Sequence, residues 1–283
     1  MTTFASYDGT RLAYAEVGEG PPLVCLPGGP GRAAAYLEDL AGLSRVRTLL
    51  LLDPRAVGRS EVPADPSTLR FDRVAEDLEA LREHLGLETL DLLAHSAGTI
   101  VAQAWASAHP ARVGLLVLVT PSDRLQGGRR PDLPRIRALS AAEPWYADAK
   151  EAQDALDEGA PLSQQASLTR ATRPFFYGRW DDRTQEHAAT ADRQTSRRAQ
   201  LGFGSDAGEI DRSGLLAGLG QVTAPVLVVG GSHDALTGVE SVQVVADCFP
   251  NARTAVLEGA GHFPWVDQPE GFCSAVATFL GTL

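Results

Sequence analysis

Lysine and methionine are almost missing from this chain of 283 residues: Lys150 is the only lysine and Met1 the only methionine. Nearly every basic residue is arginine, and the abundance of Ala and Gly beside it reads as GC-rich coding bias rather than chemistry. Cysteine is scarce too. Cys25, Cys248 and Cys273 are odd in number and sit in apolar contexts (LVCLP, ADCFP, GFCSA), which argues for buried thiols rather than a disulfide scaffold. No apolar run reaches the ~18 residues that suggest a membrane span. The opening MTTFASYDGT has neither a basic nor an apolar leader region, so the expectation is a soluble cytoplasmic protein. Positive charge is in deficit. A formal net charge of -11 argues against nucleic acid or an anionic membrane surface as partner. No His/Cys/Asp group has metal-ligand spacing, and the Gly-rich loops at 27–31 and 230–231 fit neither a dinucleotide fingerprint nor a P-loop. Neither a metal nor a cofactor is expected.

What is present is an alternation. The stretches TFASYDG and TRLAYAEVG, joined at Asp8-Gly9, predict a hairpin. Buried strands are predicted at 22–27 and 46–53, and further strands at 90–96, 112–120, 225–230 and 254–259. Helices are predicted near 33–43, 70–86, 97–108, 238–248 and 268–281. Apolar runs separated by helices indicate an α/β fold with a mostly parallel sheet covered on both faces. The rhythm breaks between 121 and 220. That third holds 14 of the 25 basic residues but only 15 of the 36 acidic ones, so it is near neutral. It is also rich in aromatics. A structureless loop of that length is improbable in a compact domain. The expected organisation is a core domain of residues 1–120 and 221–283 with a mostly helical cap inserted at 121–220.

The segment LDLLAHSAGTI (90–100) carries the first chemical signal. An apolar strand ends at Ser96 between small residues and runs straight into a helix. A serine on a tight strand-to-helix turn has its oxygen exposed at the carboxyl edge of the sheet, where open α/β proteins bind ligands. Ala94, Ala97 and Gly98 give that turn room. Taken alone, the segment favours a nucleophile, with a simple helix cap as the alternative. Its partners are expected at later strand ends, acid before histidine. Asp234 follows 225–230, and His262 follows 254–259. Asp234 would orient His262, which would activate Ser96 as nucleophile. His95 is read as structural or pocket-lining, and His233 as lying on the wrong loop. His84, His109 and His187 are read as surface or helix-end residues. For the oxyanion, the expected donors are the N–H groups of Ala97 and Gly29, the latter in the loop Pro27-Gly28-Gly29-Pro30-Gly31.

Together these residues resemble the α/β-hydrolase fold, and PGGPG followed by DPRAVGRS (53–60) is similar to the proline iminopeptidase (peptidase S33) group. That group has HGGPG followed by D-Q-R-G-x-G-x-S. Pro27, Pro54 and Ala56 depart from the pattern, as does the elbow AHSAG against G-G-S-W-G. The resemblance implies cap glutamates that hold a substrate ammonium, but Thr172-Arg173-Pro174-Phe175-Phe176 has Arg where an acid would stand. Glu143, Glu186 and Glu209 are the available substitutes.

The expected function is a serine hydrolase cleaving an ester or amide of a small organic or short peptide-like substrate through an acyl-enzyme. Aromatics Trp145, Phe175, Phe176 and Trp265 are the expected substrate contacts. An aminopeptidase releasing an N-terminal residue is the second reading. A non-hydrolytic ligand binder on the same fold is the third.

Overall fold

The computed structural model describes residues 1–205, 208 and 210–281. Strands β1 (Thr2–Ala5) and β2 (Arg11–Val17) form the expected hairpin, with Ala5 opposite Arg11 and Gly9 at a φ of 82° in the turn. β3 (Pro22–Leu26), β4 (Thr48–Asp53), β5 (Leu90–His95), β6 (Val113–Val119), β7 (Val226–Gly231) and β8 (Ala252–Leu257) come next along the chain. They complete an eight-stranded sheet in the order β1-β2-β4-β3-β5-β6-β7-β8. Pairing is antiparallel from β1 to β4 and parallel from there on.

The two faces are sorted by the two-residue period of a strand. Val24, Leu26, Leu92, Ala94, Leu116, Leu118, Val226 and Val228 pack on one side against α1 (Phe71–His84) and α2 (Gly98–Ala108). Leu23, Cys25, Leu93, Val117, Val119, Leu227 and Val229 pack on the other. α1 shows why a helix forms there. Phe71, Val74, Leu78 and Leu81 make one buried stripe, Asp72 stands in the first turn, and Arg82 and His84 stand in the last.

The expected helix at 33–43 is absent. The chain instead makes two 3₁₀ turns, Ala34–Leu37 and Leu43–Arg45, with Glu38, Leu40 and Ala41 at positive φ between them. A regular helix would point a third of these side chains to solvent. The irregular path buries Tyr36, Leu37, Leu40 and Leu43 together against the sheet, so packing overrides propensity.

Between β6 and β7 the chain runs through α3 (Leu133–Ala138), α4 (Tyr146–Asp157), α5 (Leu162–Ala171), α6 (Asp182–Ala189), α7 (Ala191–Gln194), α8 (Arg197–Phe203) and α9 (Arg212–Leu219). After β7 come α10 (Glu240–Ala246), then, past β8, α11 (Pro264–Asp267) and α12 (Pro269–Phe279). α12 covers the second face through Phe272, Val276 and Ala277. No helix among the described residues is long and apolar enough to cross a membrane.

The strand order makes room for a site. From β3 the chain steps to β4 on one side, then crosses to β5 on the other. The carboxyl ends of β3 and β5 therefore flank a point where the winding reverses, and a crevice opens there.

Candidate active site

Ser96 stands in that crevice, directly after β5, at a φ of 52°. A non-glycine residue in this region is strained and persists only where its surroundings enforce it. Here the turn is clamped. Ser96 N–H donates to the Val119 carbonyl at 2.9 Å, and the Ser96 carbonyl accepts from Thr99 N–H at 2.9 Å. The loop after β3 packs so tightly that a Cβ at Gly28 would lie 2.8 Å from Ser96 Cβ, and one at Gly98 would lie 2.5 Å from the Pro27 carbonyl oxygen. Glycine at both positions is a steric requirement.

Three loops converge. His262 Nε2 lies 2.8 Å from Ser96 Oγ, and His262 Nδ1 lies 3.0 Å from Asp234 Oδ2. Asp234 and His262 are each 1% exposed. Burial by itself would raise the Asp234 carboxyl, but the His262 charge and hydrogen bonds from His262 and Thr237 outweigh it and hold it below the usual carboxylate range. Oδ1 also accepts the backbone N–H groups of Leu236 and Thr237, both at 3.0 Å. An ionised carboxylate fixes the imidazole with its proton on Nδ1, leaving Nε2 free to take one from a hydroxyl.

The N–H groups of Gly29 and Ala97 donate to no acceptor among the described residues. Both flank Ser96, Gly29 from the β3 loop and Ala97 as the next residue. Gly28 N–H is committed to Tyr36 Oη at 2.7 Å.

His95, beside the serine, belongs to a buried relay. Its Nε2 lies 2.9 Å from the His262 carbonyl and its Nδ1 2.6 Å from Tyr36 Oη. A carbonyl oxygen only accepts, so Nε2 carries the proton and Nδ1 accepts from the tyrosine. Burial, then the nearby His262, pushes the His95 pKa well below its ordinary value and keeps the ring neutral. The chain Gly28 N–H to Tyr36 to His95 to His262 carbonyl thus joins the glycine loop to the histidine loop. Tyr36 carried no signal in the sequence because it falls in the segment expected to be helical.

Above these groups lies a cavity of about 460 Å³, within the usual size for a small-molecule site. Its floor includes Gly29, Ser96 and His262; its walls include Leu162, Thr169, Arg173, Phe176 and Asp192 from the segment between β6 and β7. That segment is tied to the histidine loop beside the floor by hydrogen bonds from backbone N–H groups. His262 N–H donates to the Phe176 carbonyl at 2.8 Å, and Asp267 Oδ2 accepts from both Gly178 N–H at 3.0 Å and Gly261 N–H at 2.8 Å.

Of the four aromatics expected at the substrate, Phe176 lines the cavity. The other three are corrected. Phe175 is buried in a separate cluster with Ile136, Ala149 and Ala235, and Trp145 packs edge-on against it at 5.4 Å between ring centroids. Trp265 is 3% exposed in the second sheet face, edge-on to His95 at 4.8 Å. Composition reveals that a segment has aromatics to bury but not which side they bury toward. His187 lies in the last turn of α6, at the helix end as read, but not at the surface: it is 2% exposed, with Nε2 donating to the Tyr36 carbonyl at 3.0 Å and Nδ1 accepting from Tyr177 Oη at 2.8 Å. Glu143 and Glu186 are exposed and away from the cavity lining; Glu209 lies outside the described residues. No group of three metal-ligating side chains occurs among the described residues. The three cysteines are free thiols, Cys25 buried and the other two half-buried.

The family model of the alpha/beta hydrolase fold matches residues 21–269. The chain belongs to the α/β-hydrolase fold family. It is similar to a proline iminopeptidase of Heyndrickxia coagulans, 24% identical over 99% of this chain and 98% of the relative. Among solved structures it is similar to an esterase from Exiguobacterium antarcticum, with a TM-score of 0.75 at 20% identity and 99% of each chain covered. An enol-lactonase from Burkholderia xenovorans LB400 superposes with a TM-score of 0.71 at 22% identity, covering 99% of this chain and 100% of that one. The iminopeptidase likeness expected from PGGPG and DPRAVGRS thus extends over the whole chain. Within it, DPRAVGRS is a structural turn of this hydrolase. Asp53 accepts the N–H groups of Ala34 at 2.9 Å and Arg59 at 3.1 Å, while Arg55 points away from the cavity to Asp77 and Asp8.

Proposed function

We propose that this hydrolase cleaves an ester or amide bond of a small organic or peptide-like substrate through an acyl-enzyme formed on Ser96. The observation that carries the reading is the buried, hydrogen-bonded line from Ser96 Oγ through His262 to Asp234, under a cavity of about 460 Å³. His262 Nε2 takes the Ser96 proton as Oγ bonds to the substrate carbonyl carbon. The carbonyl oxygen becomes an oxyanion held by the N–H groups of Gly29 and Ala97, each such donor contributing about 3 kcal/mol to the barrier reduction. His262 then gives its proton to the departing alcohol or amine. Water attacks the acyl-enzyme by the same route and releases the acid. The segment at 121–220 acts in this reading as a cap that walls the cavity and shields it from solvent, over a core of residues 1–120 and 221–283.

Aminopeptidase action is the weaker reading. An N-terminal ammonium needs an unengaged carboxylate. Asp192 is the acid in the cavity wall among the described residues, and it is held by Arg173 and Arg170. A purely binding role for Ser96 is disfavoured by the alignment of all three groups, which ligand binding alone does not require.

Two assays test the proposal. A fluorophosphonate probe should label Ser96 rapidly in the intact chain and not at all in Ser96→Ala, which should also lose turnover by about 10⁵-fold. A short-chain 4-nitrophenyl ester should be hydrolysed and proline 4-nitroanilide should not. Unlabelled wild-type protein, or full turnover by Ser96→Ala, would defeat the reading.

A further inference from the structure

Four arginines are deeply buried among the described residues, and three of them have a carboxylate. Arg55 has Asp77 and Asp8, Arg47 has Asp91, and Arg82 has Glu79. Arg32 is the fourth. It is 6% exposed and has no ion-pair partner among the described residues. Its Nε donates to Gln194 Oε1 at 3.2 Å, and one Nη donates to Thr190 Oγ1 at 2.8 Å and to the His187 carbonyl at 3.4 Å. All three acceptors are neutral. The second Nη has no acceptor among the described residues. The guanidinium lies over Tyr36, 4.0 Å from the ring centroid. A buried cation without a counter-ion is costly enough that proteins rarely keep one. This one borders the cavity that holds Ser96.

Its position sharpens the point. Arg32 comes three residues after Gly29, on the loop that reaches Ser96. Arg173 and Arg197 also line the cavity, where Asp192 is the one carboxylate among the described residues. Asp192 is neutralised where it stands by Arg170 and Arg173. The cavity is therefore positive inside a chain whose net charge is -11. Such a site concentrates anions from solution. The unengaged Nη offers charge-assisted N–H donors to a carboxylate oxygen of a substrate held over Ser96.

We infer that the substrate carries a carboxylate besides its scissile carbonyl, and that Arg32 is the binding residue that receives it. This rests on the hydrolase reading of Ser96. Arg32 also staples the glycine loop to the segment between β6 and β7, through Gln194, Thr190 and His187. A staple alone would affect all substrates alike, so the test is a ratio.

Two matched pairs place the charge on either side of the scissile bond: mono-4-nitrophenyl glutarate against 4-nitrophenyl hexanoate, and 3-(4-acetoxyphenyl)propanoate against its amide. In at least one pair the wild-type enzyme should favour the carboxylate tenfold or more in kcat/KM. That ratio should fall about tenfold in Arg32→Gln and be largely kept in Arg32→Lys. Should Arg32→Gln not fold, inhibition of wild-type hexanoate hydrolysis replaces it: phenylacetate should bind at least tenfold more tightly than phenylacetamide. Turnover of the neutral esters with no preference in either pair, or a ratio unchanged by Arg32→Gln, or equal inhibition by acid and amide, overturns the inference while leaving the hydrolase reading intact. No turnover of any ester together with no fluorophosphonate labelling would instead remove the hydrolase reading, and this inference with it.

Discussion

Beneath the cavity, the catalytic strand-end loops are joined by buried hydrogen bonds; above it, the helices that wall the cavity meet largely through ion pairs near the surface. Asp234 has four donors, and Tyr36, His95 and the His262 carbonyl form one relay. On the other side α5 buries none of its residues, and Leu162 at its start is 74% exposed. Arg170 and Arg173 meet Asp192 near the surface. A satisfied buried network is rigid, and its loss is costly. Surface pairs cost little to break and are screened by salt. Chemistry that requires placement to a fraction of an ångström sits in the first kind of structure. The helices that wall the cavity rest on more of the second kind.

Perturbing each half should return effects of different size. Asp234→Asn should lower kcat about 10³- to 10⁴-fold, because an amide offers an N–H where the imidazole needs an acceptor, and the ring turns to the wrong tautomer. Single-turnover kinetics with a chromogenic ester would measure it; a loss under tenfold would put the rigid half in doubt.

His187 marks where the rigid half reaches into the inserted segment. Burial, the leading cause, lowers its pKa from 6.5 to about 4. The ring stays neutral when folded but protonates when unfolded, so its share of stability is complete above pH 6.5 and disappears as pH falls toward 4. That share is about 3 kcal/mol. Asp267 works against it: burial raises its pKa from 3.8 to about 6, so its charged form costs stability as pH rises through that range. Urea denaturation between pH 7 and 4 should show a flatter acid limb for His187→Gln than for the natural chain.

Tyr36→Phe strands Gly28 N–H and His95 Nδ1 in the interior. It should destabilise by about 2 kcal/mol, read as a lowered urea midpoint, with kcat falling more than KM changes. The smallest effect belongs to the helices above: Arg170→Gln should cost under about 1 kcal/mol and less still at high salt. A larger loss in thermal melts would show that this half is as tightly built as the other.

Much of the fold and of the site is legible in the sequence because the relevant signals are local. Strands β3 to β7 are apolar on both faces and bounded by turns, and the Ser96 elbow needs small residues that appear as letters. Asp234 and His262 can be found because a strand end is a fixed address in this kind of sheet. Arg32 and His187 cannot, since nothing near them in the chain differs from a surface arginine or a helix-end histidine. Their meaning arises from burial against residues distant in sequence. The 33–43 segment departs from expectation for the same reason: AAAYLEDLAGL has the composition of a helix, and only the shape of the sheet beneath it dictates otherwise.

β6 and β7 are direct neighbours, with Leu116 beside Val226 and Val119 beside Val229. Everything from residue 120 to 225 therefore leaves and returns through one doorway in the sheet. The two ends of that stretch, with Leu125 on one side and Leu219 and Val222 on the other, pack into the core against the sheet, so an exchange of what lies between them leaves that packing in place. For an engineer, chimaeras joined after Leu125 and before Leu219 are the natural place to begin.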